Sequence, residues 1–339
     1  MPSKIVSFVL AESQRMKGGE AINIPISESA PHYFGASVPK QFLIDREEHE
    51  VKGSKVTFDI RAYLPDILVA EAQVEVQDIF SGEAFELREA LIDQCHEIIK
   101  RRGGKFELSE EYSIAIVSGY EGEPEQFFKY GDKIASFLKS ERLPLDEKEV
   151  AHTLSHQIKY AQDDLVIVDW DGAFIFDPVG EYESIVELLQ IANLQLLKYR
   201  ALDHDLDLRL RRIARVVQSQ AERLNILKNY KITQDFKAVI NTRARSIAEF
   251  EAVDREIKLI GDWYPARLYN LMAHKMRLNE WKDAVKEKMD SLEDVYTIVA
   301  ENFSMSRVHF LEFIQILLFF VLQVGWFVLI ILEFIYYTR

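Results

Sequence analysis

A single cysteine, Cys95, occurs in 339 residues, so no disulfide can form within the chain. So little cysteine fits a reducing compartment, and Cys95 sits where an amphipathic helix is expected, as a small core residue. Positive charge is in deficit: 41 Lys and Arg stand against 55 Asp and Glu, for a net charge of −14. That argues against a general nucleic-acid surface, which needs clustered cations. Glycine and proline are sparse, with 14 and 9 residues, which excludes collagen-like and low-complexity classes. No secretory leader is expected: Met1–Ser13 holds a short strand-like apolar stretch and turns polar at Glu12. The early acids Glu12 and Glu20 exclude an acid-poor transit peptide. There is no phosphate-binding loop, no glycine-rich dinucleotide fingerprint and no Gly-x-Ser-x-Gly.

What the chain does have is a long uncharged run near its end. Phe313–Leu332 reads FIQILLFFVLQVGWFVLIIL, with Gln315 and Gln323 its only polar side chains besides Trp326. About 20 apolar residues cross a hydrocarbon core of roughly 30 Å. A buried core helix would hold a shorter run. Trp326, Tyr336 and Tyr337 lie within or just past the segment, as interfacial anchors do. The expectation is a single-pass, tail-anchored membrane protein with its N-terminal bulk in the cytosol. The lipid bilayer is then an obligate partner. At about 100° per residue, Glu312, Gln315, Phe319, Gln323, Trp326, Ile330 and Glu333 fall in a stripe roughly 80° wide. Polar groups at that depth usually face protein, so the stripe is a candidate oligomerisation face. The bland alternative is that Glu312 and Glu333 merely reach the two interfaces.

Upstream, residues 1–180 mix strand and helix signals and predict an α+β head domain. Lys55–Ile60 is β-rich, and Ile67–Gln77 alternates as a half-buried strand does. Ser81 caps a helix carrying Ala84, Leu87, Leu91, Cys95 and Ile98. Lys100, Arg101 and Arg102 followed by Gly103 and Gly104 form its stop signal. A strand at Tyr112–Val117 and a helix over Pro124–Leu138 follow. Residues 181–309 read as helix only, a long antiparallel, coiled-coil-like stalk, and 310–339 as the transmembrane anchor. One stalk helix starts near Glu183. A second starts near Thr233, and Phe236, Ile240, Ile247, Phe250 and Ile257 recur on it at steps near the coiled-coil period. Gly261–Pro265 breaks the pattern. A third helix, carrying Trp281 and Leu292, is expected to run from about Ala266 into the membrane without interruption, over about 70 residues.

Three patterns invite a chemical reading. Leu165–Pro178 (LVIVDWDGAFIFDP) places Asp169 and Asp171 as Asp-x-Asp-Gly after an apolar strand. That is the first motif of Mg²⁺-dependent haloacid-dehalogenase-type phosphatases, with a nucleophile and an acid/base. The same residues fit a β-hairpin closed by a type I′ Asp-Gly turn. The hairpin is the stronger reading, because everything after the motif is helical. His152 and His156 are spaced as zinc ligands on a helix, yet Thr153 stands where a zinc-protease motif needs Glu. No metal or cofactor is therefore expected. Arg209, Arg211, Arg212 and Arg215 can contact phosphate or lipid headgroups, although Asp203, Asp205 and Asp207 can neutralise them.

The late part of the chain resembles the Rmd1/RMND1 (YagE, DUF155) family. The strand Tyr112–Gly119, the hairpin and Val186–Asp207 (VELLQIANLQLLKYRALDHDLD) follow its order. So does a terminal membrane helix introduced by Arg307, Leu311 and Glu312. The resemblance implies a membrane-anchored, homo-oligomeric, non-enzymatic protein with no catalytic residue to carry over. CorA-type Mg²⁺ transporters also place an α/β head on a long helix entering the membrane. They have two spans and a Gly-Met-Asn motif, whereas Gly325 here precedes Trp326. The expected function is thus a non-enzymatic, membrane-anchored oligomeric scaffold or tether with an unknown protein partner. The alternatives are a channel or CorA-like transporter oligomer, and a membrane-tethered phosphatase using Asp169 and Asp171.

Overall fold

The computed structural model describes residues 2–13, 20–21, 41–64, 66–220 and 264–338. These form two compact units. One holds the described residues up to Asp205 together with 264–285, and the other holds 206–220 with 286–338.

The first unit is built on a mixed sheet. In chain order its strands are β1 (Ser3–Glu12), β2 (Glu20–Ala21), β3 (Gln41–Val51), β4 (Ser54–Tyr63) and β5 (Ile67–Val76). They continue with β6 (Ser109–Val117), β7 (Gln157–Ile158), β8 (Leu165–Val168) and β9 (Gly172–Phe176). Among the described residues the sheet has nine strands, in the order β2-β3-β4-β5-β1-β6-β9-β8-β7. Neighbours pair antiparallel except β6 and β9, which run parallel with Ser113 opposite Gly172. Strand β1 is central, from Ser3 opposite Val76 on β5 to Ser3 opposite Val117 on β6.

Both faces of this sheet are covered, and the sequence of β1 says why. A strand buried on two sides reads as a continuous apolar run rather than an alternating one, and Ile5, Val6, Phe8, Val9 and Leu10 are all fully buried. On one face Ile5, Val9, Phe58, Ile60 and Ala115 pack against Leu91, Cys95, Ile98 and Ile99 of helix α1 (Gly82–Arg101). Cys95 is fully buried there, as its apolar setting predicts, and burial pushes its thiol far up from the ordinary range. Ser81 caps α1 by accepting from the Ala84 amide, and the left-handed Gly103 follows its last turn.

The other face meets the first half of α4 (Glu183–Gln220) and α5 (Tyr264–Lys275). The first half of α4 is apolar nearly all round, and Leu188, Leu189, Ile191, Ala192, Leu196 and Leu197 are all buried. A helix without a polar face belongs inside a core.

Two expected helices are divided. Pro124–Leu138 is a 3₁₀ segment, Pro124–Tyr130, followed by α2 (Gly131–Lys139). Short α3 (Glu147–Leu154) comes next. The predicted uninterrupted third helix breaks at Met276–Arg277 into α5 and α6 (Leu278–Tyr337). Arg277 turns left-handed at φ 54°, which ends a right-handed helix, while Met276 is fully buried. Among the described residues a long antiparallel coiled coil is not seen. What stands is a mixed sheet flanked by helices, with one long apolar helix at the C-terminal end.

Candidate functional site

The Asp169–Asp171 segment is a β-hairpin turn. Strands β8 and β9 pair antiparallel with Val168 opposite Ala173, and the Asp169 amide donates to the Gly172 carbonyl at 2.8 Å. The two turn residues are therefore Trp170 and Asp171, not Asp171 and Gly172. Neither has the positive φ that a type I′ turn requires. Gly172 lies on β9, and its role is spatial. A Cβ there would stand 2.8 Å from the Ser113 carbonyl on the adjacent strand.

The turn buries the Asp169 carboxylate, whose residue is only 3% exposed. Lys275 Nζ of α5 reaches Oδ1 at 3.2 Å, and Lys139 Nζ of α2 faces Oδ2 at 3.5 Å. The Trp170 amide donates to Oδ1 at 2.6 Å, and Lys139 also pairs with Glu149 of α3 at 2.7 Å. Burial works against the Lys139 ammonium, but Glu149 and Asp169 outweigh it and raise its pKa. Asp171 is the second turn residue. Burial pushes its carboxyl up to about 6, against the nearby Arg88 guanidinium. Arg88 is itself buried and donates to the Asp171 carbonyl at 3.0 Å and to Ser140 Oγ at 2.5 Å. Tyr112 OH donates to the carbonyls of Asp169 and Gly172 from beneath. The assembled centre is charge-balanced, two acids against two lysines, and it joins α2, α3, α5 and the hairpin.

The paired histidines lie beside it. His156 falls beyond the end of α3, and its Nδ1 contacts the His152 carbonyl at 2.9 Å. Burial, then Lys275, lowers the His156 pKa, which favours a neutral ring. Among the described residues no three His, Cys, Asp or Glu side chains converge as metal ligands.

A second polar cluster had no signal in sequence spacing, because its members come from four elements. Under α4, Gln41 donates to Tyr63 at 2.8 Å and to Glu187, and Tyr63 donates to Glu187 at 3.1 Å. Arg61 pairs with Glu71 and donates to Gln41 at 2.8 Å, while Gln190 donates to Glu71. All six residues are buried. Two carboxylates meet one guanidinium, and burial raises the Glu187 pKa. Further along α4, Arg200 pairs with buried Glu110 of β6. The one legible hint was one acid and three amides, Glu187, Gln190, Asn193 and Gln195, in the otherwise apolar stretch Ile185–Leu197.

A cleft of about 220 Å³ opens at the start of α1, lined by Ser81, Gly82, Phe85, Lys133 and Arg142 among others. Arg142 pairs with Glu89, and Glu86 with Lys52, so its charges are balanced locally.

In the second unit, Leu311–Tyr337 forms 27 residues of apolar helix, with a mean hydropathy of 2.5 over an 18-residue stretch, and these residues are exposed throughout. It is long and apolar enough to cross a membrane. The stripe residues Glu312, Gln315, Phe319, Gln323, Trp326, Ile330 and Glu333 all lie on this one unbroken helix and are exposed. Arg211, Arg212 and Arg215 are exposed on α4, Arg209 is half-buried, and Arg215 donates to the Arg211 carbonyl at 3.3 Å. Lys288 of α6 pairs with Asp207 of α4 at 2.8 Å. Of the stalk residues, Leu292 is buried and Trp281 half-buried. Phe236, Ile240, Ile247, Phe250 and Ile257 lie outside the described residues.

Comparison with known proteins corrects the resemblance drawn from the sequence. The family profile that matches is "Uncharacterized protein MJ0711, N-terminal domain", over residues 12–183. A similar protein is Uncharacterized protein MJ0711 of Methanocaldococcus jannaschii. It is 28% identical over 282 residues, covering 83% of this chain and 81% of the relative. No solved structure matches. Nothing points to the Rmd1/DUF155 family. The order strand, helix, hairpin, helix and short apolar strings are shared by many α+β chains, and such layout does not specify a family. The matched segment runs from the end of β1 through β9, the hairpin included, to the first residue of α4, and the chain belongs to the MJ0711 N-terminal domain family.

Proposed function

We infer that the chain is a non-enzymatic, membrane-anchored scaffold or tether. Leu311–Tyr337 holds it in a bilayer, the sheet domain faces the cytosol and engages a protein partner, and copies assemble through the helical region. One observation carries this reading: a 27-residue apolar helix with no part of it covered by the rest of the chain. So much exposed apolar surface demands a membrane or another protein around it. The reducing-compartment composition, with one buried cysteine, supports the cytosolic side.

The test is fractionation of cells expressing the full chain. The protein is expected in the membrane pellet after alkaline carbonate extraction, with the sheet domain digested by protease added to the cytosolic face. Release into the supernatant by carbonate would end the anchor reading. Protection of the sheet domain would reverse its orientation. A channel-like oligomer is the second reading, supported by Gln315 and Gln323 on the membrane helix. Ion flux in liposomes that changes in Gln323→Leu would favour it over a simple tether.

A further inference from the structure

Leu311–Tyr337 carries Glu312 and Glu333 near its ends and no other charge. The two acids are separated by 21 positions, about 32 Å of helix, which matches a hydrocarbon core of roughly 30 Å. Both therefore sit at the water interfaces, and Gln315 and Gln323 are left at hydrocarbon depth. An amide there has two N–H donors and a carbonyl acceptor to satisfy. The backbone of its own helix satisfies it only in part: a carbonyl four residues back can accept one N–H, as the Leu189 carbonyl does from Asn193, but the helical N–H groups are already bonded and leave the amide oxygen without a donor. Water is absent, so an unpaired amide is costly.

The partner does not come from this chain's own membrane helices. Among the described residues Leu311–Tyr337 is the single candidate span, and no other stretch of the sequence runs 18 residues without charge. It must be supplied by another molecule. We propose that it is a second copy of this chain, in a parallel helix pair joined at Gln315 and Gln323.

Three observations favour a copy over an unrelated helix. Copies inserted alike carry their sheet domains on the same side, so each residue meets its equivalent at the same depth. Glutamine both donates and accepts, so Gln315 facing Gln315 and Gln323 facing Gln323 are self-complementary, as a lysine or glutamate would not be. Finally, Gln315, Phe319 and Gln323 are spaced by four on an unbroken helix. Such an i, i+4 row forms a ridge that packs against its own image at a crossing near −50°. Interhelical side-chain bonds of this kind are modest but directional. The inference rests on the reading of this helix as a membrane anchor.

Disulfide mapping in membranes tests it, using the full chain. The background is clean, because Cys95 is fully buried. Phe319→Cys and Ile330→Cys place thiols on the proposed face. Val321→Cys and Val328→Cys place them two residues away at nearly the same depth, on the far side of the helix. Oxidation with copper phenanthroline is expected to give dimer at 319 and 330 and little at 321 and 328. Adding Gln315→Leu and Gln323→Leu to Phe319→Cys should reduce the dimer at least about threefold per amide. Equal crosslinking on both faces, no crosslinking at any position, or dimer unaffected by the two leucines would each overturn the proposal. Carbonate extraction of the same membranes separates the two readings. A chain that stays in the pellet without face-selective dimer remains anchored and refutes only the pairing.

Discussion

At the scale of single residues, the first unit is set by what burial does to ionisable groups. Glu110 is 6% exposed, and burial pushes its carboxyl up to about 7 despite the ion pair with Arg200. An unfolded glutamate titrates near about 4.3. The folded state thus binds the proton more tightly, and its stabilising contribution is complete below that value. It is lost as pH rises through about 7. Glu110→Gln removes the titration but keeps an acceptor for Arg200. Its melting temperature is expected to vary less than that of the natural chain between pH 5 and pH 8, with the relative gain at the alkaline end. A parallel pair of curves, measured by circular dichroism on the full chain, would refute this. The opposite sign operates at Glu47, where Arg102 and then His49 hold the carboxyl at about 2. Its contribution is present at neutral pH and lost only in acid.

At the scale of elements, the hairpin β8–β9 is the junction of the first unit. Asp169 accepts from its own turn and faces lysines from α2 and α5, so one carboxylate fixes three elements. Its role follows from geometry. Both oxygens face cations, and the cation that acts most on Asp171, the other half of the Asp-x-Asp pair, is the Arg88 guanidinium, ahead of Lys139. Removing one partner of a buried pair leaves the other uncompensated, at about 3–5 kcal/mol when both are fully buried. Lys139 and Lys275 keep some solvent, with side-chain exposures of 25% and 14%, so Asp169→Asn is expected to cost about 2 kcal/mol. The check is thermal unfolding alongside a Mg²⁺-dependent phosphatase assay. A lower melting temperature with no activity to lose fits a structural junction. An unchanged melting temperature with loss of hydrolysis would make Asp169 a nucleophile and the chain an enzyme.

At the scale of the whole molecule, the C-terminal helix decides where the chain can reside. Leu322 and Val328 lie in the middle of the 27-residue span. An arginine at such depth costs about 2.5–3.5 kcal/mol on insertion scales. Leu322→Arg combined with Val328→Arg is therefore expected to move a large share of the chain from the carbonate-resistant pellet to the supernatant. An unchanged pellet would mean that the segment is held by protein rather than by lipid. Val328 lies opposite the face that carries Gln315 and Gln323, whereas Leu322, seven residues from Gln315, borders it.

Periodicity and chemistry local in sequence were enough to predict much of this protein. The apolar run to Leu332, the capped helix from Ser81, the strands at Tyr112–Val117 and Ile67–Val76, and the β8–β9 hairpin are all short-range patterns, and each formed. Burial of Cys95 followed from its place on an amphipathic helix. The tertiary structure decided what distant residues do to one another. The first half of α4 was read as stalk because it is helical, yet its apolar surface on every side belongs to a core, and there it covers the sheet. The break at Arg277 carries no glycine or proline to announce it. The turn register at Gly172 was set by the carbonyl of Ser113, nearly sixty residues earlier in the sequence. The Asp169 centre and the Gln41–Glu187 network assemble from elements far apart in the chain. Sequence spacing encodes which face of an element is apolar, but a buried charge's partner is fixed only when the elements pack.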